Sequence, residues 1–294
     1  MRLGSFQLNE PLPQLREPHA LATLRPWVDV GSVGTLTLRY LEKSLGVREL
    51  ARLSRPGNFF DFTRYRPMIS LHRGRRDLTI PNSVISYARR EEGNDFVLLH
   101  LLEPHMLGEL YVSSLLSLLQ RLGVRRYTLL GSMYDVVPHS RPLLLTGVAS
   151  GGGAREDFNK AGAQTSDYEG PTTIATLILQ EAPKLGMETL SIIARMPQYT
   201  QLEEDYMGQV RLLQALHSIY GLPVGHDVIV KAEQQFDDID TAVAQNPQVK
   251  AVVSQLEAHY DARAAAQQEE EEKPRLSPEI EKFLKEMERR FRQE

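Results

Sequence analysis

The residues from Gly131 to Ser150, GSMYDVVPHSRPLLLTGVAS, set a histidine and an arginine between two prolines. The pKa of a histidine such as His139 lies near neutrality, which suits it to move a proton. Arg141, two positions on, offers a guanidinium fork for a carboxylate or a phosphate. Asp135 is close enough in the chain to orient His139. The competing reading is structural: Pro138 and Pro142 stiffen a bend, and His139 and Arg141 satisfy stray backbone carbonyls. Spacing alone leaves both readings open. Glu103, in LLEPH, ends another apolar run. Its carboxylate suits either a pairing with Arg141 across neighbouring strands or the start of the following helix, where the dipole favours negative charge.

Glycines supply a second kind of candidate. In ASGGGARED, Gly151 and Gly152 precede a possible helix, and backbone N–H groups there are suited to cradle an anion. The stretch lacks the Lys-Ser/Thr of a phosphate-binding P-loop and is not GxGxxG. DVGSVG, residues 29–34, is a strand-to-helix turn with the same limitation. A tight turn that needs glycine explains both equally simply. Gly131, at the expected end of an apolar strand, and Glu169, beside Tyr168 in YEGPT, complete the candidate ligand-binding set. FFDFTRYRP, residues 59–67, mixes aromatics with Asp61, Arg64 and Arg66, as in a contact surface or an edge segment whose charges face water.

Several chemistries have no motif. Without cysteine there is neither a disulfide nor a thiolate ligand or nucleophile. The eight histidines form no HxH, HxxxH or HExxH pattern, and no GxSxG elbow occurs. No metal or cofactor is therefore expected. The net charge of −4 argues against a nucleic-acid partner, and no stretch approaches the roughly 20 apolar residues of a membrane span. The first fifteen residues hold no signal-peptide run, so a cytoplasmic protein is expected.

These side chains need a scaffold, and the chain alternates strand-like and helix-like runs from about residue 20 to 195. HALATLRPWVDV, PMISLHRG, DFVLLHLLEP, RRYTLLGS, PLLLTGVAS and METLSIIARMP read as strands, with RDLTIPNS extended. GSVGTLTLRYLEKSLG, MLGELYVSSLLSLLQRLG and GPTTIATLILQEAPKLG read as helices, the last with Pro171 at its start. Such alternation predicts a layered α/β fold, its sheet mostly parallel with helices on both faces. Residues 1–200 form this core, and residues 201–266 are a helical part of the same domain. QQEEEEKPR, within residues 267–276, is expected to be an acidic flexible linker.

Residues 277–294 read as an amphipathic C-terminal helix, with Ser277 as N-cap and Pro278 at its first position. Ile280, Phe283, Leu284, Met287 and Phe291 make one apolar stripe. It is suited to lie on its own domain, on a sister subunit or on another protein.

Taken in order, WVDVGSVG, FFDFTRYRP, DFVLLHLLEPH, LLGSMYDVVPHSRP, YEGPT, MPQY and LEAHYD resemble successive blocks of the PAC2 family, the proteasome assembly chaperone 2-like proteins. The resemblance is collinear and spans about residues 20 to 262. It implies a three-layer α/β/α sandwich similar to nucleoside phosphorylases and peptidyl-tRNA hydrolases. Fold kinship with enzymes does not make an enzyme. Characterised relatives are assembly chaperones, some ending in a hydrophobic-Tyr-any tripeptide; this chain ends Arg-Gln-Glu. Bacterial members carry an ATP-grasp-like label, for which no phosphate loop or metal-carboxylate pattern is present. Where the family often has Pro-His-Tyr, this chain has Pro197-Gln198-Tyr199. The resemblance thus implies a protein acting through protein partners, and the apolar faces of the helical C-terminal third, which must be covered, suit a homo-oligomer. The alternative is a small-molecule enzyme that gathers Glu103, His139, Arg141 and either Glu169 or Tyr168 at one sheet end.

Overall fold

The computed structural model describes residues 1–272. In chain order the elements are β1 (Arg2–Leu3), β2 (Phe6–Leu8), β3 (His19–Arg25), α1 (Val33–Leu45), β4 (Arg48–Leu53), β5 (Met68–His72), β6 (Arg75–Thr79), β7 (Val84–Ala88), β8 (Phe96–Leu102), α2 (Gly108–Arg121), β9 (Arg126–Asp135), β10 (Leu145–Gly147), β11 (Ala149–Ser150), α3 (Gly152–Lys160), β12 (Ala163–Thr165), α4 (Ile174–Glu181), β13 (Glu188–Pro197), α5 (Tyr206–Tyr220), α6 (His226–Gln245) and α7 (Pro247–Glu272). One sheet runs β1-β2-β4-β7-β8-β3-β9-β13-β10-β12, with β11 also on β13.

The centre of the sheet is parallel: β3 pairs with β8 and β9, and β13 with β9. These strands are apolar on both faces because both are covered. Side chains alternate along β3, so Ala20, Ala22 and Leu24 enter one core with Tyr111, Leu115 and Leu118 of α2 and Ile178 of α4. Leu21 enters the opposite core with Leu38 and Leu41 of α1 and Leu212 and Leu216 of α5. The result is the expected three-layer α/β/α sandwich with helices at the C-terminal end.

Four details differ from the sequence reading. First, the flanks of the sheet are mixed: β7, β4 and β2 add antiparallel beside β8, and β10 adds antiparallel to β13. Second, β9 does not end at Gly131 but runs on to Asp135, because β13 pairs with it through Pro197↔Asp135. Third, α4 starts after Thr173, whose hydroxyl caps Ala175 N–H, rather than at Pro171. Fourth, residues 267–272, read as linker, continue α7. Gln and Glu are good helix formers. The rest of that segment and the stripe Ile280, Phe283, Leu284, Met287 and Phe291 lie outside the described residues.

Candidate functional site

The strand β9 delivers its C-terminal end to the Pro-His-Ser-Arg-Pro corner. Asp135 does not orient His139; it pairs with Arg195 of β13. His139 is buried, 4% exposed. Its backbone N–H donates to Tyr199 Oη at 2.7 Å, and its Nδ1 lies 2.5 Å from the same oxygen. One phenol oxygen thus meets both the backbone and the ring of His139. Burial lowers the His139 pKa, against the opposing pull of Asp240 and Glu257. The ring packs against Phe236 at 5.5 Å and Tyr199 at 5.8 Å between centroids. The ring is held between Tyr199 and Phe236, and burial favours its neutral form.

Arg141 points the other way. Its Nε and Nη2 donate to the two carboxylate oxygens of Asp261 at 2.9 and 2.8 Å, and Nη1 reaches Glu257 at 3.3 Å. This fork on Asp261 raises the guanidinium pKa further. Ser140 Oγ donates to Glu257 at 2.5 Å, and Tyr260 Oη donates to the Pro142 carbonyl at 3.0 Å. The corner therefore receives α7, and Arg141 spends its fork on an internal carboxylate.

Glu103 follows β8 and joins neither residue. Its Oε1 accepts the Ile174 N–H at 3.0 Å, at the start of α4 rather than of α2, the helix that follows it in the chain. Burial raises its pKa, and the hydrogen bond from Ile174 opposes this. Tyr168 lies in an exposed loop, where its hydroxyl donates to the Pro171 carbonyl at 2.9 Å, and the adjacent Glu169 is exposed. Gly131 serves close packing: a Cβ there would lie 2.3 Å from the Val28 carbonyl oxygen. In DVGSVG, Asp29 is buried and accepts the Thr35 N–H at 3.1 Å and the Thr35 hydroxyl at 2.5 Å, so it fixes the entry to α1.

The glycine loop holds an anion, and the anion is internal. Gly153 N–H donates to Glu188 Oε1 at 2.9 Å, while Arg126 Nε and Nη2 reach Glu188 Oε2 at 3.0 and 2.7 Å. Arg126 Nη1 also binds Asp157 at 2.5 Å. At Gly151 (φ 106°) a Cβ would fall 2.6 Å from Glu188 Cγ. Arg126 and Glu188 open the parallel strands β9 and β13. Gly151 and Gly152 therefore lie at the opposite sheet end from His139, roughly 30 Å away at about 3.3 Å per residue. Sequence reasoning missed Tyr199, Asp261 and Glu257 as the partners of the corner, although MPQY and LEAHYD, which hold them, stood out as blocks.

Two clefts flank the corner. One, about 740 Å³, lies between the Tyr199–Tyr206 segment and α6 and α7. The other, about 550 Å³, lies between the corner, α5 and α6. Among the described residues no group of three His, Cys, Asp or Glu side chains is placed to hold a metal ion. No described helix is long and apolar enough to cross a membrane.

The PAC2 family model matches residues 23–241, which include the corner, both glycine turns and Glu103. The chain belongs to the PAC2 family. Its fold agrees with Rv2714, a Mycobacterium tuberculosis protein of unknown function, at 25% identity and a TM-score of 0.80, over 92% of this chain and 93% of that one. It agrees with Rv2125, a proteasome-assembly chaperone homologue of the same organism, at 24% identity and a TM-score of 0.70, over 80% and 99%. PbaB, an archaeal proteasome activator from Pyrococcus furiosus, shares the fold at 15% identity and a TM-score of 0.64, over 82% and 99%. No match is found among curated proteins.

Proposed function

We propose that this PAC2-family protein acts by protein–protein contact, as a chaperone-like factor for a proteasome-type assembly in the cytoplasm, without catalysis or cofactor. The observation that carries this reading is the β5–β6 hairpin. It forms its own two-stranded sheet apart from the main one. The register Ile69↔Leu78 and Leu71↔Arg76 sets Ile69, Leu71 and Leu78 on one face. These three and Met68 are 62–71% exposed. A lone hairpin is marginally stable in water, and exposed apolar surface of this kind marks contact sites. Of the proteins that share the fold, Rv2125 is a proteasome-assembly chaperone homologue and PbaB an archaeal proteasome activator. Self-association through the same hairpin, and docking of the segment that bears Phe283 and Met287, belong to the same proposal. It asks no chemistry of His139 or Arg141, whose partners are Tyr199 and Asp261.

The test compares wild type with an Ile69→Asp/Leu71→Asp variant. Light scattering would measure mass, and co-sedimentation would measure binding to purified proteasome core subunits. Wild type is expected to bind the core subunits and the variant to lose that binding while melting as before. A wild type that stays monomeric and binds no core subunit would overturn the reading.

A further inference from the structure

The cleft of about 550 Å³ between the corner, α5 and α6 is walled by Pro142, Leu143, Val210, Ile229 and Phe236. That size is in the range of small-molecule sites, roughly 300–1,000 Å³. Arg211 of α5 lines the same cleft and is half-buried. Its Nε donates to the Leu143 carbonyl at 2.8 Å, which fixes the guanidinium plane. No carboxylate among the described residues pairs with it, whereas Arg126 meets two and Arg141 meets two. A guanidinium drawn partly out of water is ordinarily paired with an anion. Burial accordingly lowers the pKa of Arg211, with Tyr260 alone pulling the other way. The acids that do line the cleft, Glu233 and Asp237, are exposed on α6.

We propose that this cleft binds a small organic carboxylate with an apolar body, its carboxylate on the Arg211 guanidinium and its hydrocarbon against Val210, Ile229 and Phe236. A planar carboxylate matches the guanidinium fork; of the other polar groups lining the cleft, His139 is bound to Tyr199 and Arg141 to Asp261 and Glu257, while Gln214, Glu233 and Asp237 are exposed. Glu233 and Asp237 repel an anion at the mouth, so the fit depends on the guanidinium inside.

Calorimetric titration of the full chain with 3-phenylpropionate, and with 3-phenylpropan-1-ol as its neutral analogue, tests this. The acid is expected to bind at least about tenfold tighter than the alcohol. Arg211→Gln should abolish that preference. If that variant does not fold, because Arg211 also holds Leu143, Ile229→Trp is used to fill the cleft and should lose the acid while melting as wild type. Glu233→Gln/Asp237→Asn should tighten the acid a few-fold by removing repulsion. Equal binding of acid and alcohol, or no binding of the acid up to about 10 mM, where a Kd corresponds to less than 4 kcal/mol, would overturn the assignment. A peptide ending in phenylalanine that binds where the free acid does not would overturn it in favour of a chain terminus.

Discussion

Removing Glu188 should turn the glycine loop into an open anion site. In Glu188→Ala the carboxylate that accepts from Gly153 N–H and from two Arg126 nitrogens disappears. Hydrogen bonds to charged groups are each worth about 1.5–3 kcal/mol. These three share one acceptor group and do not add. Arg126 also keeps Asp157 at 2.5 Å. The expected loss is therefore about 3 kcal/mol, near one strong charged pair. With an unfolding entropy of about 2.1 cal/mol/K per residue, a chain of this size melts about 5 °C lower. Small anions should then enter the vacated space. Formate at 100 times its dissociation constant adds about 2.7 kcal/mol and restores most of the melting temperature. The assay is thermal melting in formate against chloride at equal ionic strength, for wild type, Glu188→Ala and Glu188→Gln. Only Glu188→Ala should respond to formate, since Glu188→Gln keeps the space filled. If formate raises wild type and Glu188→Ala equally, the loop is no anion cradle and the electrostatic account fails.

Two further outcomes follow from buried histidines. Tyr199→Phe leaves the His139 N–H and Nδ1 unpaired in a buried site, so denaturant titration should show a loss of about 1–3 kcal/mol; an unchanged midpoint would show that the pair holds nothing. Burial lowers the His19 pKa to about 4, with Arg126 acting in the same direction. The unfolded chain thus binds a proton at this site below about 6.5 while the folded chain does not, and stability falls as the pH drops from about 6.5 to 4, by up to about 3 kcal/mol. Glu103 and Asp29, whose pKa values burial raises, act in the opposite sense just above their ordinary values. The urea midpoint followed against pH should therefore be flatter through this window in His19→Gln than in wild type; parallel curves would refute the assignment.

The layers of the sandwich were legible because their signal is local. HALATLR and FVLLHLL are apolar on both faces, and Gly46 (φ 62°) stops α1 where the sequence placed it. The strand RELARL (β4) was illegible: it lies near the sheet edge, its arginines and Glu49 face water, and half its residues give no apolar signal. The last residues of β9 were illegible for another reason. Tyr134 and Asp135 look like loop, and only their pairing with Met196 and Pro197 keeps them in the sheet. The chemistry of the site divides the same way. That glycine N–H groups suit an anion follows from residue type; that the anion is Glu188 depends on two parallel strands starting side by side.

The Pro-His-Ser-Arg-Pro corner joins elements of the fold. His139 turns inward and ties the β9–β10 connection to the residue two places beyond β13, through Tyr199. Ser140, Arg141 and Pro142 turn outward and take three successive α7 side chains or near neighbours, Glu257, Tyr260 and Asp261. The pentad lies inside residues 23–241, which match the family, whereas its α7 partners lie beyond them. The corner thus serves as the seat for a helix outside the matched stretch. Substituting Arg141 removes the seat before it removes any chemistry, and so loss of function in such a variant would not by itself mark a catalytic arginine. Arg211, which pairs with no carboxylate among the described residues, separates ligand binding from helix docking more cleanly.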